Sequence, residues 1–109
     1  MNPIQHKSLA EGKWFKLSLC EQLGNIGSEV NRAIKARDNP IRLENAFIRG
    51  LELFDLTISD PRLRGRLKEL LRARELFCDA IFGGQEYGTS LEDLNKYFYH
   101  FAVAARANT

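Results

Sequence analysis

Arg74 is the first residue whose placement invites chemistry. At 100° per residue it falls near the middle of an apolar face built by Leu63, Leu67, Leu70, Phe77 and Ile81 on the third of four helical stretches. A guanidinium left unpaired there costs several kcal/mol, so it must reach a carboxylate, carbonyl groups or solvent. Glu29, Gln22 and Asp55 are the partners in question, and a buried ion pair of Arg74 with Glu29 is the expectation. The plain reading is a structural ion pair, or a stem packed inside while the head snorkels out to solvent; the sharper one is a buried arginine that fixes helix register or holds an anionic ligand.

The same stretch carries its charges against the helix dipole. Arg62, Arg64, Arg66 and Lys68 crowd the first two turns, and Glu75 and Asp79 stand toward the end. Each misplaced terminal charge opposes the dipole by about 0.3–1 kcal/mol. Stability alone does not account for that order. Arg62, Arg64, Arg66, Lys68 and Arg72 therefore form a candidate patch for phosphates of RNA or DNA, or for an acidic protein. The competing reading is a solvated face whose arginines pair with acids of a neighbouring helix or subunit. No helix-turn-helix, RNP-type aromatic set or zinc-finger spacing accompanies the patch.

A catalytic constellation cannot be assembled. The two histidines are His6, near the start, and His100, which has Tyr97 rather than glutamate three residues before it, so the Glu-x-x-His pairs of a di-iron bundle are missing. Cys20 and Cys78 lack zinc-site spacing and lie on or beside apolar stripes, where a buried free thiol is the default. There is no phosphate loop of the form G-x-x-x-x-G-K-[ST] and no G-x-S-x-G elbow. The expectation is a protein that is not an enzyme and binds no metal or cofactor.

Four helices must position these residues. The chain has 109 residues, 44% of them hydrophobic and 28% charged, with a formal net charge of +2, which describes one domain with a real core. No apolar run approaches the ~18 residues of a membrane span, and no apolar leader opens the chain, so a cytoplasmic protein is expected. Ser18-Leu19-Cys20-Glu21 reads as a capping box ahead of a first helix reaching Arg37. Asn39-Pro40 begins a second helix running to Ile58, with Gly50 admitting a close neighbour. Asp60-Pro61 begins a third, from Pro61 to Phe82, stopped by Gly83-Gly84. Ser90 opens a fourth with the stripe Leu91, Leu94, Phe98, Phe101 and Ala105. No stretch alternates with the period of a strand. The fold class is all-α, an antiparallel four-helix bundle with short connections. Within the arm Met1 to Lys16, Trp14 and Phe15 are expected to plug one end, and the residues before them to be mobile.

Apolar residues outside the main stripes point to self-association. Ile41, Ile48 and Leu56 on the second helix, and Tyr99 and Val103 on the fourth, face away from the core on a helical wheel. Ile48, Leu56, Tyr99 and Val103 are the expected interface of a homo-oligomer. Gly24 and Gly27 each cost about 1 kcal/mol against alanine in a helix. Gly27 borders the stripe, while Gly24 is expected to face outward.

The strings SLAEGKWFKLSLCEQLGNIGSEVNRAI, ELFDLTISDPRLRGRLKELLRARELFCDAIFG and SLEDLNKYFYHFAVAAR look like those of a recurrent kind of small bacterial helical-bundle protein. More distantly, the chain is similar to the 23S rRNA intervening-sequence protein family. That resemblance implies an assembling bundle with a basic surface, since relatives of that family form ring-like homo-oligomers and one branch binds a reverse transcriptase and nucleic acid. The functional expectation is a self-associating scaffold or adaptor, with an RNA- or DNA-binding accessory as the alternative.

Overall fold

Short polar side chains start the helices where the sequence places them. Ser18 Oγ accepts the Glu21 amide at 3.1 Å while the Glu21 carboxylate accepts the Ser18 amide at 3.0 Å, closing the capping box of α1 (Leu19–Lys35). Asn39 accepts the Arg42 amide, and Pro40 takes the first position of α2 (Pro40–Ile58). Ser90 and Asp93 make a second reciprocal pair at the start of α4 (Leu91–Ala107). The computed structural model describes residues 12–107; the expected mobility before Trp14 falls largely, and His6 wholly, outside them.

The third stretch departs from expectation. Asp60 accepts the Arg62 amide at 3.0 Å, but the chain then forms a 3-10 turn, Pro61–Arg66, before α3 (Leu67–Ile81) begins. Gly65 weakens the helix at that point, and Arg66, with φ −112° and ψ 10°, lies outside helical backbone values. Phase shifts accordingly. Leu70, Ala73, Phe77 and Ala80 are the buried face of α3, and Leu67 is exposed rather than part of it. At the other end the Gly83 amide donates to the Ala80 carbonyl and the Gly84 amide to that of Asp79, a Schellman stop with both glycines at positive φ.

The helices contact in the cyclic order α1–α2–α3–α4–α1, an all-α four-helix bundle, and no strand occurs among the described residues. Leu23, Ile26 and Val30 of α1, Leu53 and Phe54 of α2, Leu70 and Phe77 of α3, and Leu94 and Phe98 of α4 fill its centre. Phe54 joins the layers, its ring 5.7 Å from Phe77 and 5.8 Å from Phe98. Gly50 makes room for Phe77, since a Cβ there would lie 2.7 Å from the ring. Trp14 is buried and plugs one end, with Phe15 packed beside it. No helix among the described residues is long and apolar enough to cross a membrane.

Two orientations read from the sequence need correction. Gly24 does not face outward: with Gly27 it forms the seam to α4, where added Cβ atoms would stand 3.2 Å from Ala102 Cα and 2.7 Å from Phe98 Cβ. Leu56 does not point to solvent but packs against the core, and Ile48 is half-buried, so of the outer residues of α2 only Ile41 is largely exposed.

Candidate functional site

A buried polar knot holds the N-terminal segment to the bundle. The Trp14 indole N–H donates to Thr57 Oγ1 at 2.9 Å, and Gln22 Nε2 donates to both the Trp14 carbonyl and the Asp60 carboxylate, at 3.0 and 3.1 Å. Arg62 closes the knot, donating to Asp60 and, at 2.8 Å, to the Leu17 carbonyl. The Arg62 guanidinium first, then its amide and the Gln22 amide, hold Asp60 down to about 2. An unfolded aspartate titrates near 3.9, so this group's contribution is complete above that value and fades as pH falls toward 2. We expect Asp60→Asn to flatten the acid limb of a stability–pH curve by about 1–2 kcal/mol; equal limbs in both proteins would show the carboxylate to be unperturbed.

The five cations of the predicted patch are exposed, but three of them answer acids of their own chain. Arg62 is committed to Asp60 at 2.6 Å, and Arg66 and Arg72 lie 3.8 and 3.9 Å from Glu69 and Glu75. Arg72 also stacks over the Tyr87 ring at 4.3 Å, and Tyr87 O–H reaches Glu75 at 3.3 Å. The reversed dipole reading is corrected too. Arg62 and Arg64 precede α3 and Arg66 sits at its cap, which leaves Lys68 beside Glu69 in the true first turn. Asp79, seemingly misplaced near the end, accepts the backbone amides of Glu86 and Tyr87 at 3.0 Å each and so folds loop 82–90 onto α3. Arg64 and Lys68 have no ion-pair partner among the described residues.

The expected Arg74–Glu29 pair does not form. Arg74 Nε donates to Asp55 at 2.9 Å across the α2–α3 groove, with side-chain exposures of 34% and 60%. An exposed pair of this kind contributes at most about 1 kcal/mol. Glu29 is buried, but it pairs with Arg32 one turn along α1 at 3.1 Å and leaves Oε2 without a partner. The arginine's length lets its head leave the apolar face that its Cα occupies.

On the opposite side, α1 and α4 pack so closely that their small residues floor a groove of about 390 Å3. Gly24, Gly27 and Ala102 line it together with Ser28, Asn31 and Tyr99. Tyr99 is 57% exposed, and Val103, one turn on, is 42% exposed. Of the four residues expected at an interface, these two present apolar area to solvent.

A feature not anticipated from the sequence lies between α1 and α2. Arg32, Lys35, Arg42 and Arg49 line a groove of about 380 Å3 with Asn45, and Ala36 and Ala46 complete its lining. No carboxylate lines it. Its cations are divided between two helices, so no run of basic residues announces them.

Among the described residues no group of three or more His, Cys, Asp or Glu side chains stands together as metal ligands would. Cys20 and Cys78 are free and half-buried rather than fully buried, and burial pushes the Cys78 thiol up, away from the reactive thiolate. Tyr97 is likewise pushed up, by burial and by the Glu69 carboxylate it donates to. No family model, no curated protein and no solved structure matches this chain.

Proposed function

We propose that the protein is a non-catalytic scaffold or adaptor that associates with copies of itself through the α1–α4 face. The observation that carries this reading is the pair Tyr99 and Val103, exposed beside a groove floored by Gly24, Gly27 and Ala102. A floor of small residues leaves a concavity between the two helices, and an exposed tyrosine with a neighbouring valine at its edge supplies apolar area with one polar tip. Ile41, 73% exposed at the start of α2, is a separate apolar point and not part of this face.

Tyr99→Glu and Val103→Glu test the assignment, because both positions are exposed and neither change disturbs the core. Each is expected to convert an oligomer to a smaller species on size exclusion with light scattering, with helicity by circular dichroism unchanged. Elution identical to the native protein for both variants would remove the α1–α4 face from the interface. Leu56→Glu, by contrast, is expected to unfold the chain rather than dissociate it.

Contact with RNA or DNA through Arg62, Arg64, Arg66, Lys68 and Arg72 is a second reading. Its support is the exposure of all five side chains; Asp60, Glu69 and Glu75 reduce the charge that they offer.

A further inference from the structure

We propose that the groove between α1 and α2 is a binding site for a ligand bearing two or more adjacent phosphate groups. The site is independent of the self-association face, which lies on the α4 side of α1. Its walls are Arg32 and Lys35 from α1 and Arg42 and Arg49 from α2, with the Asn45 amide between them. Three guanidiniums offer the planar, paired donors that match phosphate oxygens, and the lysine adds a point charge.

Local stability explains only half of this arrangement. Arg32 and Lys35 occupy the last turn of α1, where the helix dipole favours cations. Arg42 stands in the first turn of α2, where aligned peptide dipoles already leave positive charge, and no acid occupies that turn to answer it. Lys35 and Arg42 line the same groove with no ion-pair partner among the described residues, so these two like charges gain most when an anion enters. Glu29 engages Arg32 through a single nitrogen, and a guanidinium has five donors in all.

The spacing favours more than one phosphate. Arg42 and Arg49 are seven residues apart on one helix face, about 10 Å along the axis at 1.5 Å per residue. A lone phosphate cannot meet both ends of that row, whereas a polyphosphate or a short phosphodiester strand can. No aromatic side chain lines the groove, so bases would find no stacking surface, and recognition rests on the phosphates themselves.

Isothermal titration calorimetry of the full chain, at about 50 mM and about 200 mM salt, tests the site with four probes: tripolyphosphate, inorganic phosphate, sulfate and an eight-nucleotide oligothymidylate. The expected result is binding of tripolyphosphate at least about tenfold tighter than of phosphate or sulfate, weakening as salt rises. The variant Lys35→Gln with Arg42→Gln is expected to lose about tenfold or more of that affinity while its helical circular dichroism stays unchanged. Arg64→Gln with Lys68→Gln, on the other basic surface, is expected to bind tripolyphosphate as the native protein does. If oligothymidylate binds as well, with a salt slope lowered by about 1.4 in the first variant, the phosphates come from a strand; if only tripolyphosphate binds, they come from a small molecule. No binding of tripolyphosphate at low salt, sulfate binding equally well, undiminished affinity in the Lys35/Arg42 variant, or an equal loss in the Arg64/Lys68 variant would each overturn the assignment.

Discussion

Trp14→Ala is expected to destabilise the protein by about 4 kcal/mol, a large share of the roughly 5–15 kcal/mol that stabilises a domain this size. The indole is 1% exposed and is the largest fully buried side chain, so its removal leaves a cavity at the end of the bundle. It also leaves the Thr57 hydroxyl without its 2.9 Å donor, deep in the core. Urea unfolding followed at 222 nm measures the loss. Trp14→Phe keeps much of the volume but not the donor, and an intermediate loss of about 1–2 kcal/mol is expected. In the background of Thr57→Val that penalty should shrink, since there is then no hydroxyl to strand. A loss below about 1 kcal/mol for Trp14→Ala would mean that residues 12–17 do not cap the bundle in solution.

The second large effect runs against helix propensity. Gly27→Ala should stabilise an isolated helix by about 1 kcal/mol, yet in this bundle we expect a net loss of about 1–2 kcal/mol. The added Cβ would lie 2.7 Å from Phe98 Cβ, an approach that requires α1 and α4 to move apart. Phe98 is wholly buried against Phe54, so the shift propagates into the core. Gly65→Ala is the matched comparison: nothing lies within 4 Å of its added Cβ and its φ is not positive, so it should be neutral or slightly stabilising. Both are read from the same denaturation curves. A gain for Gly27→Ala as large as that for Gly65→Ala would contradict the close α1–α4 seam.

The sequence made local features legible because their signals are local. Ser18 with Glu21, Asn39 with Pro40, and Gly83 with Gly84 each act within a turn, and each appears where its pattern places it. Hydrophobic periodicity found the buried Leu91, Leu94 and Phe98 of α4 for the same reason, whereas the buried face of α2 runs through Ala46, Leu53, Phe54 and Thr57, where small and polar residues carry little hydropathy signal. Periodicity failed on Gly24, because a seam of small residues carries no hydropathy signal and a wheel centred on leucines turns it outward. It also extended the third helix through Gly65, which placed Leu67 on a face that the 3-10 turn rotates away.

Partners were less legible than faces. The phase of Arg74 does not reveal that its head leaves the core for Asp55, and Glu29 found Arg32 on its own helix instead. The basic groove was missed because Arg32 and Lys35 are separated from Arg42 and Arg49 by a turn, and each pair alone reads as a solvated helix face. Conversely, the run from Arg62 to Arg72 stands out as a cluster of like charge, while the acids that answer it, Asp60, Glu69 and Glu75, are close in sequence but show their pairing only in three dimensions.

The mass of the native protein in solution is the most direct test of the functional account. Light scattering coupled to size exclusion, at two protein concentrations and at low and high salt, should give a defined multiple of 12.5 kDa that does not change with salt, because the contact proposed for the α1–α4 face rests on the apolar area of Tyr99 and Val103 rather than on ion pairs. A species of 12.5 kDa at every concentration and salt would contradict self-association and leave the chain a monomeric bundle.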